Sequence, residues 1–419
     1  MRAAARSAGV KVLLVNKFLY PKGGDAICTL ETARVLEANG HEAVCWGIRD
    51  PRNSSFPHED TFLAPVDFAH PGGLAQQVKI ALNMLYSREA QRKITEILAR
   101  EDPDIVHLHN FAHQISPSIL DVCSRRGVPV VMTMHDYKLV CPAYTLRSQG
   151  EVCERCAHGR YFHCVLRKCI KNSRMKSLLG TAEMHFHHHI LRIYKKVDVC
   201  IAPSRFMLKK TEEMGLRRPA RYVPNFVFPE NFSAAYGSPS DEFVYFGRLS
   251  EEKGIETLLE AARRTDARVK IIGEGPVRPR LQAIARRGKI RNVKFLGYKQ
   301  GKELHNEIRT SLAVVVPSCW YENNPRSILE AFALGKPVIG SGIGGIPELV
   351  QNGRTGYTFE AGNASALKEK LELARNNLDK TVRMGQNARN LAEKEYNART
   401  YYQRIISVYA DAQQKEKAR

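Results

Sequence analysis

Short apolar runs alternate along this chain with longer stretches whose apolar residues recur every three or four positions. KVLLV (11–15) is apolar throughout and strand-length, the mark of a strand buried on both faces. The loop Pro21-Lys22-Gly23-Gly24 follows, then a helix that Asp25 is placed to cap and Gly40 to end. EAVCWG, DIVHLH (104–109), VPVVMTMH (128–135) and DVCIAPS (198–204) read as further strands with helical stretches between them. A polar stretch with Pro and Gly, residues 224–242, breaks the rhythm. FVYFG, VKIIGEG, NVKFLG, LAVVVPS and KPVIGS then restart it. The pattern predicts an α/β protein of two doubly wound, Rossmann-like parallel-sheet domains, residues 1–224 and 225–399, facing across a cleft. Residues 400–419 carry a last helix, with Tyr401, Ile405, Ile406 and Tyr409 at helical spacing. It either caps the second domain or crosses back to the first.

In open parallel sheets, ligands lie at the carboxyl ends of the strands. That selects loops 16–25, 135–145, 247–254, 273–276, 318–326 and 341–347. Within them, ENNPRSILE (322–330) reads as a helix start with Asn324 as cap and Pro325 at the first helical position. The N–H groups of Arg326 and Ser327 then lack intrahelical partners and face outward at the positive end of the helix dipole, a site for a phosphate or diphosphate. Glu330 is suited to the paired hydroxyls of a ribose and Glu322 to a sugar ring. The alternative is a capped surface helix with two solvated glutamates. In GRLSEEKG, Gly247 leaves room for a ligand, and Arg248 and Lys253 supply fixed cations for a diphosphate leaving group, unless they merely pair with Glu251 and Glu252. Gly23-Gly24 lets backbone approach a phosphate, and His135 faces the cleft. Gly275 and Tyr298, at the ends of neighbouring strands, are candidates for reading a nucleobase.

Length and charge refine this picture. A chain of 419 residues exceeds one ordinary core. Sixty-four Lys and Arg against 43 Asp and Glu give a net charge of +21, a field that attracts nucleic acid, anionic lipid and phosphorylated small molecules alike. Residues 160–196 concentrate it: nine Lys or Arg face one acid, Glu183, with apolar residues interspersed, a composition suited to an anionic membrane surface. A solvated helix face is the competing reading. The apolar run after the basic N-terminus stops at Asn16-Lys17 without a signal-peptide pattern, so the expected location is cytoplasmic, peripheral on the inner face of the plasma membrane.

Five of the ten cysteines, Cys141, Cys153, Cys156, Cys164 and Cys169, lie in one segment. A structural metal is expected there. Tetrahedral zinc suits the set best, with an iron–sulfur cluster or reduced thiols as alternatives.

GRLSEEKG, IIGEGP, FLGY, PSCWYENNPRSILEAFALGKPVI and GGIPELV, in this order, resemble family 4 of the glycosyltransferases, and Gly23-Gly24, His135 and PSRF (203–206) extend the likeness into the first domain. The resemblance implies the GT-B fold and a retaining transfer from a nucleotide-sugar donor (UDP-, GDP-, ADP- or TDP-linked) to a glycan or polyprenyl-linked acceptor, with no metal required for catalysis. It places Arg248 and Lys253 on the donor diphosphate, and Glu322 with Asn323, Asn324, Pro325, Arg326 and Ser327 around the donor sugar and phosphate. Glu330 would take the ribose, Gly24 would approach the diphosphate from the other domain, and His135 would touch the donor sugar. Many members carry Gly or Ser where this chain has Asn-Asn-Pro, which leaves the sugar open. A glycoside phosphorylase or hydrolase would use similar carboxylates without a nucleotide. A specific nucleic-acid binder is not expected, because no recognition module accompanies the charge.

Overall fold

The computed structural model describes residues 9–67, 70, 72–237 and 241–417. The basic residues 1–8 and part of the expected linker, residues 238–240, lie outside them. Two six-stranded sheets are present, and every strand pair within them is parallel. The first contains β1 (Lys11–Val15), β2 (Glu42–Trp46), β3 (Ile105–Leu108), β4 (Val130–Thr133), β5 (Val199–Ala202) and β6 (Ala220–Tyr222), in the order β2-β1-β3-β4-β5-β6. The second contains β7 (Phe243–Phe246), β8 (Val269–Ile272), β9 (Val293–Gly297), β10 (Ala313–Val316), β11 (Val338–Ser341) and β12 (Gly356–Phe359), in the order β9-β8-β7-β10-β11-β12.

The apolar runs become these strands because helices cover both faces of each sheet and leave no wet side. Val12, Leu13, Leu14 and Val15 are all fully buried, as are Phe243 and Val244 of β7. Burial of each such side chain is worth roughly 1.5–3 kcal/mol. β6 and β12 were not among the expected strands. Both are short edge strands, and β12 opens with Gly356, where a Cβ would lie 1.9 Å from the Val338 carbonyl oxygen.

The helix after β1 runs Gly24–Ala38 with Gly23 as its cap, so Asp25 is not the cap. Its carboxylate instead accepts from Asn110 Nδ2 at 3.0 Å, tying the loops after β1 and β3 together. The last helix, Ala398–Lys417, crosses back to the first domain. The Tyr401 hydroxyl lies 2.8 Å from Thr32 Oγ1, Tyr402 OH lies 2.8 Å from His41 Nε2, and Tyr409 OH lies 2.9 Å from His107 Nδ1. A chain that enters the second domain only once is thereby fastened twice.

The two domains also meet directly. The helix Arg205–Glu213 follows Ser204, whose hydroxyl caps it by accepting from Met207 N–H. Its first free amides, those of Arg205 and Phe206, donate to the Glu348 carboxylate at 2.9 and 2.5 Å. PSRF of the first domain and GGIPELV of the second thus interlock through a helix N-terminus and an anion.

Candidate active site

Each sheet reverses its winding once, between β1 and β3 in the first and between β7 and β10 in the second. Neighbouring loops part at these points, and the crevices open at the carboxyl ends of the strands. The loop after β10 carries Ser318 to Pro325, and the helix after it spans Arg326–Ala333. Pro325, with ψ of 120°, is the cap rather than the first helical residue, so the helix begins one position later than expected. Asn324 lies before the cap and its side chain is not the capping group. The amides of Arg326 and Ser327 still precede the first intrahelical acceptor, because Ile328 N–H is the one that reaches the Pro325 carbonyl, at 3.1 Å.

Glu322 is buried beside this helix start. Lys253 Nζ donates to its Oε1 at 2.6 Å and Ser318 Oγ to the same oxygen at 2.7 Å. Burial raises the cost of its charge, but the Lys253 ammonium and these hydrogen bonds outweigh that and hold the carboxyl below its ordinary range. Lys253 therefore pairs with Glu322 and not with Glu251 or Glu252. Glu251 turns outward toward Arg147 and Arg280, each at 3.7 Å, and Glu252 accepts from Ser250. Arg248 stands exposed at the end of β7. Behind the Glu322 loop, Gly344 has φ of 61°, and a Cβ there would sit 2.5 Å from the Glu322 carbonyl oxygen, so the close approach of these loops needs glycine.

Asn323 reaches across the cleft, its Nδ2 donating to the His135 carbonyl at 2.6 Å. Asn323 Oδ1 and both polar side-chain atoms of Asn324 are buried without a partner. Buried amides cost roughly 1–3 kcal/mol each when unmet, so this cluster at a helix start is a place that a polar ligand completes.

Arg326 has a second task that its position in the sequence did not announce. Its guanidinium grips Glu31 of the first domain at 2.7 and 3.1 Å and donates to the Phe226 carbonyl at 3.1 Å, while Glu330 lies 3.8 Å from its Nε. Burial pushes the Glu330 carboxyl upward, partly offset by Arg326. Gly24 abuts this arginine, whose Cδ would lie 3.7 Å from a Cβ at that position. Gly23, Gly24, Arg326 and Glu330 thus share one neighbourhood.

His135 follows β4 and is half-buried, its Nε2 2.9 Å from His109 Nδ1. The His107 and His109 rings lie tilted against each other with centroids 4.2 Å apart, His109 and His135 stack with centroids 5.2 Å apart, and His107 Nε2 lies 2.8 Å from Thr133 Oγ1. Burial keeps all three imidazoles neutral: His107 is driven down to about 3, and His109 and His135 also lie below the ordinary value, His135 with Asp25 and Asp136 opposing the shift. Sequence reasoning singled out His135 and missed its two neighbours. Their signal was the H-x-H inside an otherwise apolar strand.

Two further expected donor contacts, Gly275 and Tyr298, have local partners within the second domain. Gly275 packs against the Leu249 backbone, where a Cβ would lie 2.2 Å from the carbonyl oxygen. Tyr298 stands exposed past β9, its hydroxyl donating to Gln300 at 3.2 Å.

The cysteine segment is gathered only in part. Cys164 and Cys169 are hydrogen-bonded, and Cys169 also donates to Ser148 Oγ at 3.4 Å. The contact with Cys164, helped by Ser148 and Arg167, pulls the Cys169 thiol below its ordinary value, while burial drives Cys156 up to about 12. Cys156, Cys164 and Cys169 share one small cluster with Tyr161 and Met184, and Cys141 and Cys153 lie close enough to act on Cys156 electrostatically. Among the described residues, the one group of three or more His, Cys or acidic ligands whose donor atoms all lie within 4.8 Å is Cys28, His109 and His135. The segment does engage the other domain. Tyr321, beside Glu322, donates to Glu154 between Cys153 and Cys156, at 2.6 Å.

Comparison with known proteins bears on this geometry. Residues 22–231 match the profile described as Glycosyltransferase Family 4, and residues 230–391 match Glycosyl transferases group 1. An uncharacterized glycosyltransferase of Methanocaldococcus jannaschii is 27% identical over 198 residues, 47% of this chain and 55% of that protein, so the match spans about half of the relative's length. The GDP-mannose-dependent alpha-mannosyltransferase of Mycobacterium tuberculosis is 28% identical over 359 residues, 84% of this chain and 85% of that one. Among solved structures, Anabaena HepE in complex with UDP and glucose superposes with a TM-score of 0.65 at 18% identity, covering 96% of this chain and 99% of that one. The paired doubly wound domains, the interlocked PSRF and GGIPELV segments and the two profiles together spanning residues 22–391 show that this chain belongs to the group 1, family 4 glycosyltransferases of GT-B fold.

Proposed function

We propose that the chain transfers a sugar from a nucleotide diphosphate sugar to a glycan or lipid-linked acceptor, with retention of anomeric configuration. The observation that carries this reading is the charged wall at the second switch point: Lys253 on Glu322, with the unmet Asn323 Oδ1 and the partnerless Asn324 side-chain amide beside an open helix start. A diphosphate suits the amides of Arg326 and Ser327, and Lys253 and Arg248 neutralise the charge that develops as the sugar–phosphate bond breaks. When Lys253 turns to the phosphate, Glu322 is left to accept hydrogen bonds from sugar hydroxyls. Glu330 takes the ribose. His135, uncharged, presents its backbone and ring to the sugar from the opposite wall. The first-domain wall offers neutral imidazoles, while the nearby carboxylates Asp25 and Asp136 are engaged by Asn110 Nδ2 and the Lys138 amide, which favours front-face attack: the acceptor oxygen bonds to the anomeric carbon on the side the diphosphate leaves, and the diphosphate takes the acceptor's proton. HepE's bound UDP and the mannosyltransferase's GDP-mannose support a nucleotide-sugar donor and leave its base open.

An acceptor at a membrane surface is supported by the helices Leu74–Leu85, Phe162–Leu166 and Arg174–His185, which pack side by side. They and the turn after them expose Val78, Leu82, Phe162, Leu166, Met175, Leu178 and Ile190, with Met175 75% exposed and Ile190 69%. Glu183, the one acid of the basic segment, is turned inward onto Lys138 at 2.7 Å, so the outer surface of that segment keeps cations alone among its formal charges. Apolar side chains ringed by Lys and Arg suit an anionic bilayer. No helix among the described residues is long and apolar enough to cross one.

A thermal-shift panel of UDP, GDP, ADP and TDP with their sugar conjugates tests the donor reading. Stabilisation by one nucleotide family supports it, and a flat panel with folded protein shifts the balance to a phosphorylase or hydrolase. Co-sedimentation with phosphatidylglycerol vesicles, lost in Met175→Glu with Leu178→Glu, tests the membrane surface. Retention by the double variant removes it.

A further inference from the structure

Cys28, His109 and His135 are far apart in sequence, yet one donor atom from each lies within 4.8 Å of the other two. The topology assembles them. β1, β3 and β4 are adjacent in the sheet, so the helix after β1 and the loops after β3 and β4 emerge at one edge. Cys28 sits on the first of these, and His109 and His135 open the other two.

Three observations point to a bound cation. The donor set is one thiol and two imidazoles, the combination that binds zinc and other thiophilic ions and has little use for magnesium or calcium. His109 Nε2 is buried with no hydrogen-bond partner, although its Nδ1 faces His135 Nε2 at 2.9 Å. The imidazole stack is therefore incompletely satisfied by protein alone. His135 is half-buried on the cleft, which provides an entry path, and a cavity of about 30 Å³ beside it, lined by His109, Asn110, His135, Asp136 and Lys138, has room for a fourth ligand the size of water.

We propose that Cys28, His109 and His135 form a three-ligand site for a thiophilic divalent cation such as zinc, and that its occupation withdraws His135 from the donor sugar and suppresses transfer. The suppression rests on the reading of His135 as a donor-sugar contact; the site itself does not. On binding, the Cys28 thiol proton leaves to solvent, the proton between His109 and His135 moves to a ring nitrogen facing away from the metal, and the sulfur and two neutral imidazole nitrogens bond to the metal. The fourth position stays open toward the cleft, as in three-ligand zinc sites that keep an exchangeable water.

The full chain, stripped of metal, is titrated with cobalt(II), whose thiolate charge-transfer and ligand-field bands report sulfur coordination, and cobalt is then displaced by zinc. Cys28→Ser and Cys28→Val are run beside it with all five cysteines of residues 141–169 intact. The wild type is expected to bind one equivalent more than either variant. Zinc should suppress sugar-nucleotide consumption in the wild type, with the variants needing at least ~10–100-fold more zinc and matching the wild type without metal. Identical stoichiometry and spectra in all three proteins would overturn the site, since the signal would then come from the other thiols. A Cys28-dependent cobalt signal with zinc-insensitive turnover would overturn the suppression and keep the site. Nucleotide thermal shifts in metal-free buffer report on the donor reading separately.

Discussion

The two walls of the cleft are built on opposite principles. The second-domain wall is made of charges held in pairs: Lys253 on Glu322, and Arg326 between Glu31 and Glu330. The first-domain wall is made of neutral rings in a relay that runs from Tyr409 to His107, by a tilted ring contact to His109, and by stacking and a hydrogen bond to His135. A paired charge is released by an incoming anion at little reorganisation cost, so the charged wall is suited to a diphosphate whose charge grows during reaction. A neutral, buried ring keeps its shape and its hydrogen bonds across a wide pH range, so the other wall is suited to holding an uncharged sugar in place. On the proposed reading, the difference separates charge stabilisation from positioning.

The largest expected effect strips the charged wall. Arg248→Ala with Lys253→Ala should lower transfer by at least ~10³-fold while the protein stays folded, since one oriented electrostatic donor is worth about 10²–10³. Normal turnover in the double variant would remove the assignment of diphosphate binding to this wall.

Next comes Glu330→Ala, expected to weaken nucleotide affinity about 10–100-fold through loss of charge-assisted hydrogen bonds to the ribose. Calorimetric titration decides it, and an unchanged dissociation constant would leave Glu330 as no more than a partner of Arg326.

The neutral wall is tested by pH. His107, ordinarily near 6.5, is driven to about 3 in the fold, so below pH 6.5 the unfolded chain takes up a proton that the folded chain refuses. Stability therefore falls as pH falls through that window, by roughly 1.4 kcal/mol for each pH step of one. His107→Gln lacks this linkage. Its destabilisation relative to wild type should shrink by about 2 kcal/mol between pH 7.5 and pH 5 in denaturant titrations. A constant difference would mean that the ring is not held neutral.

The smallest effect concerns how the walls are brought together. Glu348→Ala removes the anion from the Arg205 and Phe206 amides and should cost about 1 kcal/mol, with domain coupling loosened and transfer only modestly lowered. No change in the unfolding midpoint would show that the Ala398–Lys417 helix and the Glu31–Arg326 bridge fasten the domains without it.

The charged wall was largely legible in the sequence because its parts are local. Glu322, the helix start and Glu330 lie within one turn-and-helix segment, and Arg248 and Lys253 within one loop. Spacing erred in detail: it put the cap at Asn324, whereas the cap is Pro325, since proline with an extended ψ ends the loop without entering the helix. The cysteine segment shows the limit of spacing from the other side. Its C-x2-C pair suggested a metal site, and nothing in that spacing announced that Glu154 between the two cysteines holds Tyr321 of the other domain.

The sequence by itself determined the two doubly wound sheets, the order of the charged motifs and the loops on which chemistry would lie, because strand periodicity and helix-start chemistry depend on neighbours a few residues away. Only the tertiary structure decided that Lys253 rests on Glu322, that Arg326 reaches Glu31, that the last helix returns to His107, and that Cys28 meets His109 and His135. Those contacts span tens to hundreds of residues. They exist because parallel strands deliver all their carboxyl ends to one edge, a convergence that no local pattern of residues encodes.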